Sequence, residues 1–134
     1  MRVAIAEDNY LLREGLQQVL ELVDEIEVVA ACADADELLA AVERERPDVV
    51  VTDIRMPPTH TDEGIRAALA IRRSHPATGV VVLSQYASPA YALELVSDTS
   101  TGLGYLLKDR VSDIGQLVAA MRAVASGGSV VDSE

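Results

Sequence analysis

Short apolar runs alternate along this chain with segments whose apolar residues recur at helical spacing. The runs predict five strands, at residues 2–6, 26–32, 49–52, 79–84 and 104–107. The third and fourth runs have no polar alternation, which is typical of strands buried on both faces of a sheet. A helical pattern follows each run, so strand and helix alternate five times.

The helical patterns have residues suited to helix ends. In the first helical pattern, the positions at helical spacing are Leu11, Leu12, Gly15, Leu16, Val19, Leu20 and Val23. Candidate N-caps are Asn9, Asp34 with Glu37 in capping-box position, and Ser112 or Asp113. The second helix must end before Pro47, and the third is expected from Glu63 to about His75. The fourth starts near Pro89 and continues through 91–96, and Gly127 with Gly128 stops the last.

Five alternations of strand and helix predict one parallel sheet with helices on both faces. Right-handed crossovers leave few topologies for such a sheet, and the flavodoxin-like order 2-1-3-4-5 is common for five strands. We therefore expect a doubly wound α/β fold of the (βα)5 type over residues 1–128. Residues 129–134 are interpreted as the start of a linker.

Composition narrows the class of protein. The 134 residues fit one domain, and a core without Phe or Trp must be built from aliphatic side chains. No apolar run approaches the roughly 20 residues that span a bilayer, and the early acidic residues argue against a signal peptide. Cys32 is the single cysteine, which excludes a disulfide framework and favours a cytoplasmic location.

The formal net charge of −11 argues against nucleic-acid binding by this chain, because such binding needs a basic face. The charge is compatible with binding a cation or with docking on a protein that carries a basic patch.

Chemically active side chains stand at the carboxyl ends of four predicted strands: Glu7 with Asp8, Asp53, Ser84 and Lys108. In the order 2-1-3-4-5 these ends converge in one cleft. Carboxylates in close contact repel one another, and a hard divalent cation such as Mg²⁺ relieves the repulsion. Lysine and serine suit phosphate oxygens. The set therefore predicts phosphoryl transfer onto Asp53, although each residue alone could be a cap, a turn former or a solvated strand end.

Four motifs together resemble the receiver domain of bacterial two-component response regulators. They are Ala6-Glu7-Asp8, Thr52-Asp53-Ile54-Arg55-Met56-Pro57, Leu83-Ser84 and Gly104-Tyr105-Leu106-Leu107-Lys108. The resemblance covers essentially the whole chain. The motif Gly-Tyr-Leu-Leu-Lys-Asp resembles the corresponding sequence in the LuxR or NarL-FixJ subfamily. In that subfamily a receiver domain precedes a helix-turn-helix domain.

The resemblance implies a metal site and a phosphoacceptor. Asp53 would accept a phosphoryl group from the phosphohistidine of a kinase. Asp8 would bind Mg²⁺ directly and Glu7 through water, and the backbone carbonyl of Arg55 would be another ligand. Mn²⁺ is an alternative ion.

It also implies a switch. Ser84 would supply the hydroxyl that follows the phosphoryl group, and Lys108 would pair with that group. Tyr105 would be the aromatic residue that turns inward on activation. A packed Tyr105 with its hydroxyl at the surface is the alternative interpretation.

The implied partners are a sensor histidine kinase and, after activation, a second copy of the chain. DNA would be bound by an output domain beyond residue 134, and no membrane is involved. The chain would not be an enzyme, apart from Mg²⁺-assisted phosphorylation and dephosphorylation of its own Asp53.

Three features depart from the family pattern. The segment 58–64 is about three residues longer than the corresponding segment of the family pattern. It contains His60, and a single histidine in a loop is not by itself expected to be a metal ligand. Asp109 stands where many receivers have proline, so a trans peptide bond is expected there. Arg55 and Tyr86 each follow a site residue by two positions, where their bulk should slow hydrolysis of the acyl phosphate.

Three other classes of protein have a comparable pattern of strands and helices. A phosphatase of the haloacid dehalogenase type needs a second Asp where Arg55 stands, and a flavodoxin needs a hydroxyl-rich loop where Glu7-Asp8-Asn9 stands. A receiver-like interaction module that is never phosphorylated has the same fold. It remains the alternative function.

Overall fold

The computed structural model describes residues 1–59, 62–84, 102–108 and 113–131. Its elements in chain order are β1 (Arg2–Ala6), α1 (Tyr10–Glu21), β2 (Glu27–Cys32), α2 (Ala35–Glu45), β3 (Val49–Asp53), α3 (Glu63–Ser74), β4 (Gly79–Ser84), β5 (Leu103–Leu107), α4 (Ile114–Ala125) and β6 (Val130–Val131). The expected helix at 89–96 lies outside the described residues, as do His60, Tyr86, Asp109 and Ser112.

The strands form one parallel sheet in the order β2-β1-β3-β4-β5-β6. The first five confirm the predicted order 2-1-3-4-5, and with it the α/β class. β3 lies at the centre, where Val51 is in register with Ile5 on one side and Val81 on the other. All five residues of β3 are buried, as expected for a strand covered on both faces.

The prediction of a linker over residues 129–134 does not include β6. Val130 and Val131 instead pair with Gly104 and Tyr105 at the edge of the sheet. Two residues are too few for a periodic pattern, so hydrophobic periodicity does not predict this strand.

Successive residues of a strand contribute to cores on opposite faces of the sheet. On one face, Val50 belongs to a cluster with Leu38 of α2 and Ile65 of α3. On the other face, Val51 belongs to a cluster with Leu20 of α1 and Met121 of α4. The fold is therefore doubly wound.

The predicted caps are present. The side chain of Asn9 accepts a hydrogen bond from the backbone N–H of Leu12 at 3.1 Å, and that of Asp34 accepts one from Glu37 at 2.8 Å. The carboxylate of Glu37 accepts from the N–H of Ala33, one residue before the cap. Of the two candidates for the last helix, Asp113 caps α4.

Helix α1 buries less of its apolar stripe than the pattern suggests. Leu20 is the fully buried residue of this helix, whereas Leu11 and Leu12 are 78% and 52% exposed. Leu16 and Val23 are partly buried against the sheet. Across the parts of the chain that the structure describes, no helix has both the length and the apolar character needed to cross a bilayer.

Candidate functional site

The carboxyl ends of β1, β3, β4 and β5 are neighbours in the sheet, so the residues at these ends share one edge. Glu7, Asp8, Asp53, Ser84 and Lys108 line a single cavity of about 310 Å³ at that edge. Asn9, Leu12, Ile54 and Arg55 complete its wall. The predicted convergence of strand ends is therefore present in the fold.

Three carboxylates form the acidic part of this cavity. One oxygen from each of Glu7, Asp8 and Asp53 lies within 4.8 Å of the other two. Glu7 and Asp53 are only 5% and 7% exposed, and Asp8 is partly exposed. Carboxylate oxygens are ligands that Mg²⁺ prefers, so this donor set fits a hard divalent cation.

Lys108 connects two of the carboxylates. Its Nζ lies 2.9 Å from Oε1 of Glu7 and 3.1 Å from Oδ2 of Asp53. Both acids belong to the first half of the chain, and the cation reaches them because β5 ends on the same edge as β1 and β3. One ammonium group therefore partly neutralises two nearly buried carboxylates.

The electrostatics of the site follow from burial. Burial raises the pKa of Asp53 above its ordinary value, against the attraction of Lys108, and the negative charge of Asp8 adds to the rise. Burial likewise raises the pKa of Glu7, although hydrogen bonds from Lys108 and from the N–H of Asn9 oppose it. For Lys108, burial acts to lower the pKa, but its hydrogen bond to Glu7 and the charge of Asp53 outweigh burial and raise it.

The raised pKa of Asp53 predicts a pH dependence of stability. A group whose pKa is higher in the folded state contributes stability below its ordinary pKa, and this contribution is lost as pH rises through the raised value. In EDTA, Asp53→Asn should therefore gain stability over the wild type as pH rises from about 4 to 7, because asparagine does not ionise. Urea unfolding of both proteins across this range tests the prediction. A difference that stays constant or shrinks as pH rises would contradict it.

Backbone contacts hold the two buried acids in place. The N–H of Glu7 donates to the carbonyl of Cys32 at 2.9 Å, and Arg13 donates from Nη1 to the carbonyl of Glu7 at 2.8 Å. The hydroxyl of Thr52 donates to the carbonyl of Asp53 at 3.0 Å. Sequence reasoning did not identify Arg13 or Thr52 as supports. Because Arg13 is six residues after Glu7 on another element, no local motif signals the contact.

The other predicted site residues lie as follows. Ser84 is buried at the end of β4, and Arg55 has an exposed side chain at the cavity wall. Tyr105 is buried in the core on the α2 and α3 face of the sheet. A Tyr105 with its hydroxyl at the surface, the alternative considered from the sequence, is therefore wrong.

Comparison with known proteins agrees with the site. Residues 3–122 match the family model described as the response regulator receiver domain. The chain is 33% identical over 132 residues to the oxygen regulatory protein NreC of Staphylococcus haemolyticus, covering 98% of this chain but 58% of that protein.

Solved structures with a similar fold also belong to response regulators. A LuxR-family DNA-binding response regulator from Staphylococcus aureus superposes with a TM-score of 0.79 at 27% identity, covering 92% of this chain and 98% of that one. The signal receiver domain of NarL from Mycobacterium tuberculosis gives 0.75 at 30% identity, covering 90% and 95%.

Proposed function

The chain belongs to the family of response regulator receiver domains, and on that basis we propose that it is a phosphoacceptor switch in two-component signal transduction. Asp53 receives a phosphoryl group from the phosphohistidine of a sensor histidine kinase. The observation that carries this proposal is the contact of the Asp53 carboxylate with Lys108 inside a cluster of three acids.

In the proposed reaction, an oxygen of Asp53 attacks phosphorus and forms the acyl phosphate bond. The bond from phosphorus to the donor nitrogen breaks, and its electron pair remains on the leaving imidazole. The dianionic phosphoryl group adds charge to an acidic site, so neutralisation is the main catalytic requirement. Lys108 contributes one positive charge beside Asp53.

Mg²⁺ supplies the remaining positive charge when bound, with Mn²⁺ as an alternative. Asp8, Asp53 and the backbone carbonyl of Arg55 would hold it, and Glu7 would act through water. This assignment is supported by the closeness of the three carboxylates. Apart from phosphorylation and dephosphorylation of its own Asp53, the chain performs no catalysis.

Ser84 and Tyr105 are proposed to transmit the signal. Both side chains are buried, Ser84 at the cavity and Tyr105 in the adjacent strand β5. The hydroxyl of Ser84 follows the phosphoryl group, and the ring of Tyr105, which is already buried in this structure, keeps its inward position on activation. The result is a change in the surface through which two copies dimerise.

The chain spans 58% of the length of the curated relative described above, so the activity of the whole protein is itself a proposal. We propose that the receiver controls transcription through a separate DNA-binding output domain. The net charge of −11 supports a role for the receiver in protein contacts rather than in direct DNA contacts.

Incubation with a small-molecule phosphodonor tests the chemistry. With Mg²⁺ present, we expect one phosphoryl adduct that hydroxylamine removes, as it does an acyl phosphate. EDTA should prevent its formation. If neither small donors nor candidate kinases give an adduct, the chain is an interaction module that shares the receiver fold.

A further inference from the structure

A nearly buried carboxylate connects α3 to the loop that leaves β3. Glu63 is 7% exposed, and its Oε2 accepts hydrogen bonds from the backbone N–H of Thr59, at 2.8 Å, and from the Thr59 hydroxyl. Arg66 lies one turn later, with Nη2 at 3.9 Å from the same oxygen. A carboxylate is costly to bury without such partners, so its hydrogen bonds are strong constraints on Thr59.

The next residue fixes the other end of the loop. The N–H of Gly64 donates to the carbonyl of Ile54 at 2.8 Å, directly after Asp53. Met56, between the two ends, is completely buried. The first turn of α3 therefore contacts the loop both at its exit from β3 and at Thr59.

Thr59 lies on the exposed side of the loop. Its side chain is exposed, and a cavity of about 430 Å³ lies between this part of the loop and α2. Ala35, Asp36 and Leu39 of α2 line the far side of this cavity. Relative to the pattern that is common in the family, the segment 58–64 is expected to be longer by about three residues, and a longer loop closes at little extra entropic cost but has more available paths. The hydrogen bonds to Glu63 select one of them.

We propose that Glu63 is a positioning residue for phosphorylation of Asp53. By holding Thr59, it keeps the loop segment from Ile54 to Thr59, which includes Arg55, in place at the cavity wall. This inference rests on the proposed function, because it assigns Glu63 to the support of the Mg²⁺ and phosphoryl site. Among the described residues, those that line the cavity at Asp53 do not include Glu63, so its proposed effect is indirect.

Two variants separate this role from general stability. Glu63→Ala removes the acceptor, and Thr59→Val removes the hydroxyl donor while keeping the shape. Thr59→Ser is the conservative control, because serine keeps the hydroxyl donor. Glu43→Ala is the matched control, because Glu43 is an exposed glutamate whose carboxylate pairs with His75, away from the cavity. For each protein, calorimetry gives the Mg²⁺ dissociation constant, and a small phosphodonor at saturating Mg²⁺ gives the phosphorylation rate.

Glu63→Ala should weaken Mg²⁺ binding about tenfold and slow phosphorylation, as loss of an outer support of a metal site commonly does. Thr59→Val should also weaken Mg²⁺ binding and slow phosphorylation. Thr59→Ser and Glu43→Ala should have the Mg²⁺ dissociation constant and the phosphorylation rate of the wild type. Variants that melt earlier in EDTA yet keep wild-type Mg²⁺ affinity and rate would overturn the inference. If Glu63→Ala does not fold, Thr59→Val alone decides it. A wild-type protein that neither binds Mg²⁺ nor accepts phosphate would instead refute the proposed function.

Discussion

Gly64→Ala should destabilise the domain and abolish phosphorylation of Asp53. A Cβ at Gly64 would lie 1.8 Å from the carbonyl oxygen of Asp53 and 2.8 Å from Cα of Ile54. Both atoms belong to the backbone, so α3 or the end of β3 must move. Overpacking of this kind typically costs about 1–3 kcal/mol, and the displaced residue here is the proposed phosphoacceptor. Urea unfolding and phosphodonor labelling measure the two effects.

Gly15→Ala is the control for this substitution. Gly15 lies within α1, and apart from the neighbouring backbone of that helix, no atom of the described residues lies within 4 Å of the position that a Cβ would occupy. Alanine in an open helical position should increase stability by about 0.5–1 kcal/mol and leave phosphorylation unchanged. A Gly64→Ala protein as stable and as readily phosphorylated as the wild type would show that α3 does not constrain the end of β3.

Lys108→Met should reduce the phosphorylation rate by roughly 100-fold or more, the scale expected when one preorganised charge is removed from a transition state. In EDTA it should also destabilise the fold near pH 7 by about 1–3 kcal/mol, because Glu7 and Asp53 lose a shared partner at 2.9 and 3.1 Å. The destabilisation should decrease at pH 4, where the carboxylates take up protons. Added Mg²⁺ should also reduce it.

Lys108→Arg distinguishes charge from geometry. Arginine keeps the positive charge, but its planar guanidinium differs in shape from an ammonium group. We expect it to recover most of the stability at pH 7 and little of the phosphorylation rate. If Lys108→Met is phosphorylated as fast as the wild type, the lysine is a structural counter-ion only.

The site was largely predictable from the sequence because its residues stand at strand ends. Asp53, Ser84 and Lys108 each terminate an apolar run, and in a parallel sheet those ends lie on one edge. The order of strands then decided which ends are neighbours. Strand order alone therefore predicts that Lys108 and Asp53 lie in the same cleft.

Other features depend on tertiary packing that periodicity does not encode. The spacing of α3 identifies a helix near Glu63, but it does not show that Gly64 lies against the carbonyl of Asp53. Nor does it show that Glu63 is buried, since a glutamate in a first helical turn is ordinarily solvated. The exposure of Leu11 and Leu12 likewise depends on where α1 crosses the sheet.

The identity of the phosphoacceptor is tested most directly by intact mass. Wild type and Asp53→Asn are each incubated with a small phosphodonor and Mg²⁺, and the intact mass of each protein is then measured by mass spectrometry. We predict a single phosphoryl adduct on the wild type and none on Asp53→Asn, because the nucleophilic oxygen pair exists only in aspartate. An adduct of equal yield on Asp53→Asn would place the chemistry on another residue and contradict the assignment of the site.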